Sequence, residues 1–294
     1  MINGIIVINK EAGFTSHDVV AKLRGILKQK KIGHTGTLDP QAQGVLPVCL
    51  GKGTKLCDLL ADHDKEYEAV LRLGITTDTQ DMEGTILKES SVQVSEEEVR
   101  TCILSFQGKQ QQVPPMYSAL KVNGKKLYEL AREGKTVERK PRPVHFYEIE
   151  ILEIALPLVR FRVTCSKGTY IRTLCHDIGE KLGCGAAMET LLRTKVGRFT
   201  LDDAITLAQT EEAAQNGEIE SKVLGIEKIL AEYPRVCCTK EGDRLLANGN
   251  PLVQALVDAE EKNGWIRMCN SEGLFAGVYQ WDEKRDRYFP VKMF

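Results

Sequence analysis

The sequence predicts an α+β fold that ends in a small β-rich module. Two observations carry this reading of the 294-residue chain. Over residues 1–234, segments of helical and of strand character are intermixed. After Tyr233-Pro234 the texture changes to short strands separated by turn signals at Asn248-Gly249-Asn250-Pro251, Asn263-Gly264 and Glu272-Gly273. Residues 235–294 therefore read as a separate module of roughly 60 residues, near the lower limit for an independent core.

The elements follow in order. Gly4 to Ile8 reads as a first strand. Ser16 to Leu27 has the periodicity of an amphipathic helix, with Ser16 as its expected N-cap. Gly44 to Leu50 is apolar throughout and reads as a buried strand, in which Pro47 points to an edge or a bulge. Lys65 to Gly74 alternates in part and reads as a strand, and 74–84 is a polar loop. Ser95 and Glu98 form a capping box ahead of a helix that runs to Leu104. Residues 107–143 hold Pro114-Pro115, the hairpin-turn pair Asn123-Gly124, a short helix from Lys125 to Arg132, and Pro141 and Pro143. That composition predicts a long basic excursion from the core. Strands resume at Val144–Ile154 and Val159–Cys165, and a helix spans Thr169 to Lys181. Residues 201–234 are acidic and helical in tone, and Trp265–Cys269 and Leu274–Tyr279 are strands of the last module.

Composition removes several function classes. The chain is 42% hydrophobic and 28% charged, as in an ordinary soluble protein. No apolar run approaches the roughly 20 residues of a membrane helix. No basic leader precedes the first apolar run, so a cytoplasmic location is expected rather than secretion. The nine cysteines are odd in number and include no Cys-x-x-Cys pair, which predicts reduced thiols rather than a disulfide framework or zinc ribbon. The five histidines lie far apart, so no metal site is expected. Dinucleotide, Walker and Gly-x-Ser-x-Gly signatures are absent. What remains is carboxylate chemistry without a cofactor.

Charge is unevenly spread beneath a net value of −1. Residues 1–56, 121–145 and 160–200 each carry eight Lys/Arg against three Asp/Glu. Three basic segments in a neutral chain predict a composite positive face for an anionic partner.

Asp39 is the leading candidate for chemistry. It sits between Gly36 and Gly44, which can take turn conformations closed to other residues. Pro40 follows it, which biases Asp39 toward extended backbone and stiffens the loop. Tyr67 lies on the 65–74 strand. Ser166-Lys-Gly-Thr-Tyr-Ile-Arg172 puts Gly168 at a strand–helix junction, where amides can hold phosphate. Arg172 falls in a first helical turn, where the helix dipole disfavours a cation, so a carboxylate partner is expected. Leu191-Leu-Arg-Thr-Lys-Val-Gly197 sets an apolar pair before two cations.

Together these segments resemble the TruB family of bacterial tRNA pseudouridine-55 synthases along nearly the whole chain. The resemblance rests on Gly4-Ile-Ile-Val-Ile-Asn-Lys10 with Gly13-Phe-Thr-Ser16, and on His34-Thr-Gly-Thr-Leu-Asp-Pro40 with Gly44-Val-Leu46. It rests equally on Lys65-Glu-Tyr67, Gln112-Val-Pro-Pro-Met-Tyr-Ser-Ala-Leu120 and Lys167-Gly-Thr-Tyr-Ile-Arg172. The resemblance implies a catalytic domain over 1–234, built around a mixed, largely antiparallel sheet, with a thumb-like insertion at about 107–143. It also implies that 235–294 is a PUA-like RNA-binding domain.

The activity so implied is isomerisation of a T-loop uridine of tRNA to pseudouridine, with no cofactor or metal. By position, Asp39 matches the catalytic aspartate, as nucleophile at C1′ or C6 or as base. Arg172 matches its arginine partner and would hold the carboxylate ionised. Tyr67 matches the tyrosine that stacks on the target base and helps remove the C5 proton, for which a phenol of ordinary pKa, about 10, is a poor base unless tuned. Leu191 matches an apolar wall of the uracil pocket, and His34 a residue that holds the rearranged T-loop. Lys10, Lys167 and Tyr170 lie in the matched segments and are expected to contact substrate. The expected partner is the tRNA T-stem-loop, bound by a monomer with no obligatory protein partner. The alternatives are a tRNA-folding chaperone without catalysis, a synthase acting on other T-loop-like RNA, and a guide-RNA-dependent relative.

Overall fold

The computed structural model describes residues 1–122 and 124–294, so Asn123 of the expected Asn123-Gly124 turn lies outside the described residues. β1 (Gly4–Lys10) leads into α1 (Ser16–Ile26), β2 (Ile32–His34) and β3 (Gln43–Leu50). α2 (Cys57–Ala61) and β4 (Lys65–Leu73) follow, then a small hairpin of β5 (Ile75–Thr77) and β6 (Ile86–Glu89). Next come α3 (Glu96–Leu104), β7 (Gly108–Gln112), the short pair β8 (Lys121–Val122) and β9 (Lys125–Lys126), and α4 (Leu127–Arg132). β10 (Arg142–Ala155), β11 (Leu158–Cys165), α5 (Ile171–Leu182), β12 (Ala186–Val196) and β13 (Phe199–Thr200) complete the main sheet, ahead of α6 (Leu207–Gln215) and α7 (Ile226–Ile229). The last module holds β14 (Arg235–Cys237), α8 (Asp243–Ala247), β15 (Leu252–Val253), β16 (Trp265–Cys269), β17 (Phe275–Asp282) and β18 (Arg287–Met293).

The main sheet runs β1-β3-β12-β4-β11-β10-β7, with β2 and β13 attached at its side. Every pairing is antiparallel except that of β12 with β3. The α+β prediction, the mixed sheet and the β-rich C-terminal module are thus borne out. β4 explains how the sheet carries a site. Its residues alternate between buried and half-buried positions, with Lys65, Tyr67, Ala69, Leu71 and Leu73 inward. That period-two pattern gives the strand one face for the core under α3 and α5. A second core joins β1 and β3 to α1 and α6. A third joins Leu56, Ile226 and Leu230 to Val278, Phe275 and Phe294, so the C-terminal module packs directly on the preceding part of the chain. Among the described residues no helix is long and apolar enough to cross a membrane.

Three local expectations are corrected. The N-cap of α1 is Thr15, whose hydroxyl accepts from Asp18 N while the Asp18 carboxylate accepts from Thr15 N. Ser16 is freed for another contact, described below. Pro47 lies on an interior strand, paired with Val7 of β1. Its carbonyl accepts from Thr35 N just past the end of β2, so the missing amide falls where that short strand gives way to a loop. Gly44 takes the left-handed φ of +104°, but Gly36 does not.

Candidate active site

The Asp39 loop is pinned from several sides. Leu38 N donates to Ser16 Oγ at 2.9 Å, and both residues are buried. Pro40 O accepts from Gly13 N and from Lys10 Nζ, at 3.0 and 2.9 Å. Gly36 O accepts from Arg193 Nη2 at 3.3 Å. Ala42 N closes the turn onto Asp39 O at 3.1 Å. These bonds satisfy a loop backbone that would otherwise need water, and they fix the direction of the Asp39 side chain.

Arg172 meets that side chain. It projects from the first turn of α5, is 6% exposed, and places Nη2 3.2 Å from Asp39 Oδ1. The same nitrogen donates to Tyr117 O at 2.7 Å, and Nη1 lies 3.3 Å from Asp81 Oδ2. The guanidinium therefore bridges two carboxylates, which resolves its conflict with the helix dipole. Burial pushes the Asp39 carboxyl above the usual range, Arg172 opposes that push, the Asp81 charge adds to it, and Lys10 opposes it. Arg172 acts in the expected direction, favouring the ionised carboxylate, but desolvation outweighs it. The Asp39 side chain is still 37% exposed to the open cleft, where solvent moderates the push.

Tyr67 is buried on β4 directly across from Arg193 of β12, and Ala69 is across from Leu191. Directly paired residues share a sheet face, so Tyr67, Leu191 and Arg193 line the same side. Leu191 packs on the core beneath α5. Burial pushes the Tyr67 phenol up to about 12, against a downward pull from Arg193.

The remaining predicted residues separate. Tyr170 stands at the head of α5, half-buried, with its ring about a cation–π distance (6.0 Å) from Arg172. Its amide donates to Gln112 Oε1 at 2.9 Å, so the helix-start donor that the sequence offered to phosphate is already used. His34 is half-buried on β2, edge-on to His17 at 5.3 Å, and burial draws its imidazole below the ordinary value. Lys167 is exposed and pairs with Asp62 at 2.7 Å. Lys10 does not fit the substrate contact expected of it. It is fully buried, and its ammonium donates to Glu11 O, Phe14 O and Pro40 O. All three protons are spent on backbone, which makes Lys10 a clamp on the Asp39 loop.

Comparison with known proteins decides the family. Residues 24–171 match "TruB family pseudouridylate synthase (N terminal domain)", and residues 172–231 match "tRNA pseudouridylate synthase B C-terminal domain". The "tRNA pseudouridine synthase B" of Lachnoclostridium phytofermentans is 53% identical over the whole of both chains. The chain belongs to the TruB family. Its activity is accordingly that of a pseudouridine synthase, an intramolecular isomerase. The protein of the same name from Clostridium novyi is 51% identical, over 94% of this chain and 95% of its own. Among solved structures, a chain of a Cbf5-Nop10-Gar1 complex matches with a TM-score of 0.73 at 29% identity. A chain of an H/ACA RNP bound to a substrate RNA containing 2′-deoxyuridine matches with a TM-score of 0.72 at 26% identity. Each match covers 99% of this chain and 84% of the other.

Sequence reasoning missed Asp81 at this TruB-family site, and it singled out the segment of Arg193 without giving that residue a role. Asp81 sat in a polar loop with other acidic residues and gave no signal. Arg193 followed two leucines in a strand, a charge inside an apolar run, and that was a usable clue. The 107–143 excursion is also more central than expected. Its root brings buried Gln112 and the Tyr117 carbonyl to the head of α5 and to Arg172.

Proposed function

We propose that this chain converts the T-loop uridine at position 55 of tRNA into pseudouridine, without a cofactor. The observation that carries this is the Asp39–Arg172 ion pair, held on a pinned loop at the face that bears Tyr67 and Leu191. The names of its relatives supply the tRNA substrate. In the reaction the N1–C1′ bond breaks, the uracil turns, and C5 bonds to C1′. The C5 proton leaves and N1 gains one, so the nucleotide is isomerised with no net redox change.

Asp39 serves as nucleophile or base, with the ionised form required in either role. Arg172 orients it through the ion pair. Tyr67 stacks on the flipped base and borders its C5 side, and Leu191 closes the pocket. His34, largely neutral near pH 7, supports the loop of the RNA by packing and hydrogen bonding. Tyr170 and Lys167 flank the entrance, and Lys10 positions the Asp39 loop. Extruding the target base costs a few kcal/mol of stacking, which contacts from the 107–143 thumb and the PUA-like 235–294 module offset. The enzyme works as a cytoplasmic monomer with no obligatory protein partner.

The deciding experiment maps pseudouridine in an unmodified tRNA transcript after treatment with the wild type and with Asp39→Asn. The wild type is expected to modify position 55 only. Asp39→Asn is expected to form none while binding tRNA nearly as well. Turnover by Asp39→Asn, or modification at another position, defeats the reading.

A further inference from the structure

Arg193 is 2% exposed, and among the described residues no carboxylate pairs with it. Burying an uncompensated guanidinium is costly, so the fold gains something specific from a cation here. Its contacts show what that is. Nε donates to Val45 O of β3 at 2.7 Å, and Nη2 to Gly36 O at the start of the Asp39 loop. Its backbone pairs with Gly44 in the parallel β3–β12 junction. Across β4 its register partner is Tyr67 on the same sheet face, where its positive charge works against the burial that raises the phenol. One side chain thus bonds the loop that carries Asp39 and the strand that follows it, and shares a sheet face with the tyrosine of the pocket.

We propose that Arg193 is a positioning residue for the isomerisation, one that fixes the Tyr67 phenol against the Asp39 loop and holds a positive charge beside its hydroxyl. The proposal rests on the role given to Tyr67 above. A phenol is a poor base near neutral pH, and a buried cation is the direct physical means of making it a better one. The other titratable groups that face Tyr67 are Cys165 from β11 and Asp39 from the loop, and both oppose its ionisation. Lys10, His34 and Lys65 face Arg193 itself. Arg193 is therefore the one strong influence in favour of the phenolate among the described residues.

The test measures single-turnover pseudouridine formation on tRNA transcript across pH for the full chain and for Arg193→Lys, Arg193→Gln, Tyr67→Phe and the double variants. Arg193→Gln is expected to lose about 100-fold in rate, within the range of general acid–base effects. The loss falls on the single-turnover rate and leaves tRNA affinity nearly unchanged. Arg193→Lys keeps the charge but withdraws it, and falls between the two in rate. In a Tyr67→Phe background, Arg193→Gln costs no further rate. If Arg193→Gln fails to fold in a thermal melt, the rate of Arg193→Lys, alone and with Tyr67→Phe, decides. An undiminished rate, or losses that simply multiply in the double variant, overturns the proposal. Full activity in Tyr67→Phe instead overturns the underlying role of Tyr67, which separates the two failures.

Discussion

Arg172 and Asp81 stand 3.3 Å apart on the side of the guanidinium away from Asp39. Asp81 is itself oriented, accepting from the Thr79 hydroxyl and from Glu83 N. The loop between β5 and β6 therefore sets the angle at which Arg172 meets the Asp39 carboxylate. A bridging guanidinium held at both ends loses little freedom when substrate arrives.

Asp81→Asn is accordingly expected to lower the single-turnover rate by about tenfold or more through misorientation of Arg172, with tRNA affinity nearly unchanged. The same change moves the acid limb of the pH–rate profile. Asp39 is pushed upward by burial first and by the Asp81 charge as well. On the role proposed for Asp39, activity is lost as pH falls through its raised value. Removing the Asp81 charge lowers that value, so the limb moves to lower pH, and Arg172→Gln moves it to higher pH.

Lys10→Met leaves three backbone carbonyls without their donor and is expected to destabilise the fold by about 2–4 kcal/mol, read as a lower denaturant midpoint. The pH dependence has a definite sign. Burial lowers the Lys10 ammonium from 10.5 to about 8. Between those values the unfolded chain binds more protons than the folded one, so stability rises with pH across that window. The rise is present in the wild type and missing in Lys10→Met.

Gly44→Ala attacks the junction of β3 with β12. A Cβ at this position would lie 2.2 Å from Arg193 O, and the backbone there has a φ of +104°. Backbone on both sides leaves nothing flexible to yield. A loss of about 2 kcal/mol or more is expected from strain and overpacking, together with lower activity because the Asp39 loop ends at this strand. Calorimetric melting and turnover measure the two effects.

The positive face is smaller than segment counts predict. In the 160–200 segment Arg172 and Arg193 are buried, Arg160 and Arg162 pair with Glu68, and Lys167 pairs with Asp62. The exposed thumb cations Lys121, Lys140 and Arg142 are the better candidates for phosphate contact. Charge reversal of thumb cations is expected to weaken tRNA binding and to flatten its salt dependence, by about one unit of slope for each phosphate left without its cation. Arg160→Gln is expected to leave both unchanged. Titrations at several salt concentrations distinguish the two.

Much of this was legible in the chain because its causes are local. The Ser95–Glu98 capping box, the strand Trp265–Cys269 and the short helix before Gly134 follow from side chains a few residues apart. The family-specific segments singled out Asp39, Tyr67 and Arg172 because each sits in a dense, ordered motif. β18 was not legible, since Arg287–Met293 carries charges and a proline amid its apolar residues and reads as a strand only once β17 is beside it.

By itself the sequence determined the α+β mixture and the family, and singled out Asp39 as the candidate carboxylate. Only the tertiary structure decided what surrounds that carboxylate. It buried Lys10 as a clamp, set Asp81 behind Arg172 and tied Arg193 to Val45, across sequence separations of 30, 91 and 148 residues in the bonds they make. The physical reason is that the work done by a charge depends on its burial and its neighbours, and both are set by how distant strands register in the sheet.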